Sequence, residues 1–274
     1  MSIKLNNNTA IITGGGKGLG FEIAKKFINL GANIMICGRD KISLQKATDD
    51  LNVFSNQDNK ANFMICDVSD KDQVKNLVKT TINQFGSYEI LVNNAGVYGP
   101  IGLLEDNDWS LWKKSIEINL FGSILMYKES IAHFKKNNYG KIIQLSGGGA
   151  TNPLPNLSSY AVSKAGIVRF IETISLELKG TNIYANCIAP GPLNTGMLEE
   201  ILEAGPEKAG KDFYAKSVNQ KEEGGASLEL GANVEDIIFC PHHWDDNCSC
   251  RKPKSGMLYH AQKKFNIDLT NSLF

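Results

Sequence analysis

Glycine crowding after a short apolar run restricts this fold more than any other feature. Ala10, Ile11, Ile12 and Thr13 lead into Gly14-Gly15-Gly16-Lys17-Gly18-Leu19-Gly20, and Ile23, Ala24, Phe27 and Ile28 then recur at helical spacing. The order is strand, glycine turn, helix. Such a turn brings bare backbone N–H groups up to a pyrophosphate at a helix N-terminus. On its own it fits a tight turn without a ligand equally well.

The alternation then repeats. Apolar, strand-like runs occupy residues 33–37, 62–66, 89–92, 141–146 and 182–188. Helical spacing joins Val74, Leu77, Val78 and Ile82 over 70–85, and Trp112, Ile116, Leu120, Ile124, Ile131 and Phe134 over 108–136. A further helix carries Ile167, Phe170, Ile171, Ile174 and Leu178. Six strands alternating with helices predict an α/β fold, a doubly wound parallel sheet with helices on both faces. Polar and glycine landmarks gather at the C-terminal ends of the strands, the edge where open α/β sheets bind ligands. Asn119, inside the long helix, is the exception.

Composition removes several classes of function. With 274 residues, 42% of them hydrophobic, the chain is long enough for one large core or two small ones. Lys and Arg balance Asp and Glu at 29 each, so no basic excess points to nucleic acid or an anionic membrane. No apolar run is long enough to span a bilayer, and the opening residues have no signal-peptide core, so a cytoplasmic protein is expected. Cys37, Cys66 and Cys187 lie in apolar runs, as small core residues do.

The chemistry centres on Tyr160-Ala161-Val162-Ser163-Lys164. On a helix the phenol and ammonium lie one turn apart on one face. A cation beside a phenol favours phenolate and lowers its pKa, so the pair suits proton exchange with a hydroxyl or carbonyl. An ordinary amphipathic helix has the same spacing. At the end of the second strand, Gly38 stands where an acid would accept from a ribose 2′-hydroxyl, and Arg39 follows. Arg39 and Lys17 suit a 2′-phosphate, which favours NADP over NAD; two solvated cations are the plainer alternative. Asp40 is placed to cap the next helix.

Together these landmarks resemble the short-chain dehydrogenase/reductase family over about residues 5–200. The resemblance rests on Thr13-Gly14 with Gly18 and Gly20, Asp67, Asn93-Asn94-Ala95-Gly96, Asn119, Ser146, Tyr160 with Lys164, and Pro190-Gly191. It implies a single Rossmann-type domain over 1–274 with about seven strands. The implied reaction is reversible hydride transfer between a nicotinamide and a small carbonyl or alcohol, by a homodimer or homotetramer. Under it, Tyr160 is the general acid/base, Lys164 its pKa-lowering partner and a ribose ligand, Ser146 the hydroxyl that orients substrate, and Asn119 the anchor of a proton-relay water chain. Gly14, Gly16, Lys17, Gly18, Leu19 and Gly20 form the pyrophosphate turn. Asp67 and Val68 lie at the adenine, Asn93, Ala95 and Gly96 beside the cofactor, and Pro190 and Gly191 at the nicotinamide.

Two departures stand out. Ser146 precedes Tyr160 by fourteen residues, one more than the family pattern, and Gly147 follows it. An extra residue in the loop of Gly147, Gly148 and Gly149 would absorb the difference, with Ser158 and Ser159 left to cap the Tyr160 helix. Residues 192–225, helix-like over 197–204 and 206–217, fall at the family's variable lid, where Met197, Leu198, Ile201, Leu202, Phe213 and Tyr214 suggest a partly apolar wall. A helix is expected over 227–239 and a last strand over 255–261. Between them, residues 240–254 do not resemble the family. They hold Cys240, His242, His243, Cys248 and Cys250, but in no common zinc spacing, so no metal site is expected; a shifted reading frame would also explain the stretch. The alternative to an enzyme is an NADP-binding sensor or scaffold without turnover.

Overall fold

The computed structural model describes residues 4–56, 58–224 and 228. Six strands form one sheet: β1 Thr9–Thr13, β2 Asn33–Gly38, β3 Ala61–Ile65, β4 Ile90–Asn93, β5 Gly140–Leu145 and β6 Ile183–Ile188. Their order is β3-β2-β1-β4-β5-β6, and every pair is parallel. The register sets Ile12 beside both Ile36 and Val92. Both faces are covered, so the central strands are apolar at nearly every position rather than alternating.

Helix α1 (Gly18–Asn29) and α2 (Lys41–Asn52) cover one face, burying Ile23, Phe27, Leu44 and Leu51 with Ile12, Ile34, Ile36 and Val92. On the other face lie α3 (Lys71–Phe85), α5 (Gly122–Asn137) and α6 (Ser158–Glu177), with Val74, Leu77, Met126, Phe134 and Ile171 against Ile11, Met35 and Leu91. Each large apolar side chain fully buried in this way contributes roughly 1.5–3 kcal/mol. Asp40 and Asp70 cap α2 and α3, accepting from Ile42 N and from Asp72 and Gln73 N.

The helix expected over 108–136 runs unbroken from Trp109 to Asn137 with a widened turn inside it. It comprises α4 (Trp109–Ile116), a π-helical turn Glu117–Phe121, and α5. The wide turn carries Asn119, as π-bulges often do at functional sites. The segment expected to form the lid folds as α7 (Gly196–Ala209), kinked where Gly205 has φ 75°, followed by α8 (Lys211–Glu223). Six strands are present among the described residues. The expected helix over 227–239, the atypical 240–254 segment and the last strand over 255–261 lie outside them. No helix among the described residues is long and apolar enough to cross a membrane.

Candidate active site

The sheet order reverses between β1 and β4, and the crevice there opens at the C-terminal strand ends. The glycine turn fills one side of it. Gly14 has φ +65°, and a Cβ on it would stand 3.0 Å from Ala95 Cα and from Asn94 Nδ2. A Cβ on Gly20 would stand 2.5 Å from Asn94 Nδ2 and from Gly14 O. Gly18 has φ +57° and faces open space. The turn is therefore packed tightly beneath and bare above, a cradle whose N-terminal N–H groups suit a pyrophosphate.

What holds the turn is a latch across the switch point. Thr13 Oγ1 accepts from Asn94 N and Ala95 N, both at 3.0 Å. Asn94 Nδ2 returns hydrogen bonds to Thr13 O at 2.9 Å and Gly14 O at 3.2 Å. The resemblance puts Asn94, within Asn93 to Gly96, at the sheet edge beside the cofactor, and gives Thr13 no role of its own. Asn93 is buried behind them, its Nδ2 donating to Ser123 O at 3.4 Å.

Lys17 in the glycine turn and Arg39 just beyond β2 are both exposed, and the nearest atom to a Cβ on Gly38 would be a Leu44 methyl at 3.6 Å. Burial pushes the Asp67 carboxyl up. Hydrogen bonds from the Ser69 hydroxyl and amide, with the Lys114 and Arg39 charges, outweigh this and hold it below the usual carboxylate range. Val68, next in the chain, packs against Gly122.

The phenol and ammonium expected to handle the proton lie on α6. Tyr160 and Lys164 share the buried face of α6. Lys164 Nζ donates to Leu145 O at 3.0 Å and would stand 3.6 Å from a Cβ on Gly96. Burial lowers its pKa to about 8. The expected lowering at Tyr160 does not occur. Burial, with the Tyr98 ring beside it, pushes the phenol above its ordinary value, because desolvation outweighs an ammonium that lies 5.5 Å from the ring centroid. In this state the phenol is a proton donor.

Asn119 is bound at both ends. Its Oδ1 accepts from Val97 N and its Nδ2 donates to Val97 O, both at 2.8 Å, and Nδ2 also donates to Ser163 Oγ at 3.0 Å. Ser163 donates in turn to Tyr160 O at 2.7 Å. The Asn119 side chain thus ties the loop after β4 to α6, close to where Gly96 approaches Lys164. Ser163 is the missed member of this link; residue spacing gave it no role.

Ser146 sits just beyond β5 with its hydroxyl buried, without a good hydrogen bond and beside the Cys187 thiol, which burial pushes up to about 11. It is Gly147 that meets the phenol: a Cβ there would stand 2.2 Å from Tyr160 Oη. Ser158 and Ser159 do not cap α6. Ser158 Oγ accepts from Trp112 Nε1 at 3.0 Å and Ser159 Oγ donates to Tyr98 O at 3.2 Å, so both bind neighbouring elements. Pro190 and Gly191, the latter at φ +81°, form the loop after β6. Among the described residues no group of three or more His, Cys, Asp or Glu could hold a metal; the Cys and His residues of 240–254 lie outside them.

The family model described as short chain dehydrogenase matches residues 8–205. The chain belongs to that family. It is 34% identical over 203 residues to the 3-oxoacyl-(acyl-carrier-protein) reductase of Chlamydia muridarum, covering 74% of this chain and 81% of that one. The NAD+-bound structure of a xylitol dehydrogenase superposes with TM-score 0.76 at 25% identity, covering 85% of this chain and 93% of that one. A metagenomic short-chain oxidoreductase in complex with NADP superposes with TM-score 0.65 at 27% identity, over 69% and 84%. This family member is an oxidoreductase of the hydride-transfer class with a nicotinamide cofactor. Its bare glycine cradle at the switch point fits such a dinucleotide.

Proposed function

We propose that the protein interconverts a small carbonyl compound and its secondary alcohol with NADP(H), using Tyr160 as general acid/base. The observation that carries this reading is the Tyr160–Lys164 pair, buried on one face of α6 and facing the cradle across Gly96. The nicotinamide supplies or accepts the hydride. The protein's own task is the proton and the geometry. In reduction, the neutral Tyr160 phenol gives its proton to the substrate oxygen as charge develops there. Lys164 stabilises the phenolate left behind and holds the ribose. Asn119, through Val97 and Ser163, keeps the two elements in register and anchors the water that refills the proton.

For Ser146, a buried hydroxyl lacking a partner supports the substrate-orienting role, since native structures rarely leave such a group unpaired. Lys17 and Arg39, with no acid at Gly38, support NADP over NAD. Solved relatives bind either, one being the NAD+-bound xylitol dehydrogenase and another the NADP-bound oxidoreductase. Gly14, Gly16, Gly18, Leu19 and Gly20 would hold the pyrophosphate. Asp67 and Val68 would meet the adenine, and Asn93, Ala95, Gly96, Pro190 and Gly191 the nicotinamide side. Exposed Phe121, Val162 and Leu176 offer apolar surface for a second copy, in keeping with a homodimer or homotetramer. Among the described residues Cys37, Cys66 and Cys187 are free thiols, in keeping with a cytoplasmic setting.

Tyr160→Phe tests the reading. It should cut NADPH-dependent ketone reduction by about two to four orders of magnitude, the range for a lost general acid, and leave NADPH affinity nearly intact. A wild-type protein that binds NADPH but reduces no member of a ketone and aldehyde panel would instead be a sensor.

A further inference from the structure

Beside the Tyr160 phenol stands a second one. The rings of Tyr98 and Tyr160 meet at 64° with centroids 4.8 Å apart, an edge contact that is favourable between aromatic groups. Both belong to a third apolar cluster, separate from the two that line the sheet, in which Leu157 and Ile201 are fully buried. Tyr160 is left 8% exposed, and Gly147 closes on its oxygen, where a Cβ would stand 2.2 Å from Oη. Tyr98 is half-buried, with one side on Tyr160 and another toward solvent.

The Tyr98 ring does not hang on a free loop. Just before it, Val97 N and Val97 O are both held by the Asn119 side chain at 2.8 Å. Its own carbonyl accepts from Ser159 Oγ at 3.2 Å, and Ser159 is fully buried in the first turn of α6. Just after it, Gly99 has φ +76°, and a Cβ there would stand 2.7 Å from both Ser115 Oγ and Ser159 Oγ. The helix that carries Tyr160 therefore also holds Tyr98 against it. The titratable groups around Tyr160 are few. Lys164, on its own helix, lies 5.5 Å from its ring centroid, Tyr98 faces it from the loop after β4, and Tyr214 joins the cluster from α8. Burial, with the Glu200 charge from α7, pushes the Tyr98 phenol up to about 12, so at neutral pH it brings no charge to Tyr160. Burial is the first cause of the raised Tyr160 value and the Tyr98 phenol the second.

We propose that Tyr98 is a positioning residue for the reaction at Tyr160: its ring walls the phenol off from water and keeps it protonated until a carbonyl oxygen arrives. This role rests on the proposed carbonyl reduction. A phenol withdrawn from water ionises at greater cost, so it holds its proton until the substrate oxygen gains charge from the hydride. Tyr98 neither gives nor takes a proton. The Tyr160 O–H bond breaks as the substrate O–H bond forms, and Lys164 meets the phenolate. Because Tyr98 already reaches the surface, cutting it back to a methyl opens the space to solvent, and water there stabilises the phenolate.

NMR of tyrosine labelled at Cζ, with saturating NADP+, follows Tyr160 without a substrate, and Tyr160→Phe identifies its signal. Tyr98→Ala should lower the Tyr160 titration midpoint by about one to two pH units, a part of the shift that full burial imposes. The acidic limb of kcat for oxidation of 1-phenylethanol or cyclohexanol, which needs the phenolate, should move down with it. Tyr98→Phe keeps the ring and should leave the midpoint within about half a unit of wild type. A Tyr160 signal that titrates no lower in Tyr98→Ala than in wild type, or a Tyr98→Phe shift as large as that of Tyr98→Ala, overturns the role and leaves the proposed reduction standing. Should Tyr98→Ala fail to fold, Tyr98→Gln, which fills the space but sets an amide beside the phenol, is read in its place with the same expectation. A wild type that oxidises neither alcohol and reduces no ketone of the panel overturns the proposed reaction, and the Tyr98 role falls with it.

Discussion

Removing the Lys164 charge should stabilise the protein while disabling it. The ammonium is buried, and among the described residues it donates a hydrogen bond to Leu145 O at 3.0 Å. Its pKa falls from the ordinary 10.5 to about 8. That fall, at about 1.36 kcal/mol for each tenfold change in proton affinity, makes the ionised form cost on the order of 3 kcal/mol in the fold at pH 7. Because the folded value lies below the unfolded one, this penalty is complete below pH 8. It shrinks as pH rises and vanishes above about 10.5. Lys164→Met keeps an unbranched apolar chain, and Leu145 O retains the Gln144 amide at 3.0 Å, so no buried acceptor is orphaned. Urea unfolding at pH 7 should show the variant more stable by about 2–3 kcal/mol, with the gain declining toward zero by roughly pH 10.5. NADPH oxidation should drop by at least about two orders of magnitude. A variant less stable than wild type at pH 7, or a gain that does not change with pH, would refute the idea that the site stores an unfavourable buried charge.

Four further outcomes are expected. Gly147→Ala puts a methyl 2.2 Å from Tyr160 Oη; restoring an ordinary contact of about 3.4 Å moves the phenol roughly 1 Å, which should lower kcat about a hundredfold with little change in NADPH affinity, and a change under threefold would contradict that contact. Ser146→Ala should cost about two orders in kcat, as when one oxyanion donor is lost; unchanged turnover would show that another group holds the substrate oxygen. Gly38→Asp with Arg39→Leu should turn the preference toward NADH, since Gly38 has room for a side chain, as read by the two dissociation constants. Burial keeps the His133 pKa below its ordinary value, despite a hydrogen bond to Tyr88 and the Glu89 charge, with Lys136 adding to the lowering. Its contribution to stability is therefore complete above the unfolded value of about 6.5 and is lost as pH falls. Thermal melts should decline on acidification, and less steeply in His133→Phe.

Short-range pattern was enough for the scaffold. Each of the six strands falls within one residue of the run read from sequence, because strands buried on both faces must be continuously apolar and glycine must follow β1. The cap at Asp40 was legible for the same local reason: its carboxylate reaches only its own next turn. The order β3-β2-β1-β4-β5-β6, with its switch point, was decided by tertiary packing. Packing also turned Ser158 and Ser159 away from capping, since Trp112 and Tyr98 offered them partners that no local spacing announces. It widened one turn of the long helix at Glu117–Phe121, where Asn119 reaches across to Val97. The protonation balance was the least legible of all. Residue spacing put a cation beside a phenol and so predicted phenolate. Only the fold revealed how far both groups are withdrawn from water, and desolvation there outweighs the attraction that the spacing made possible.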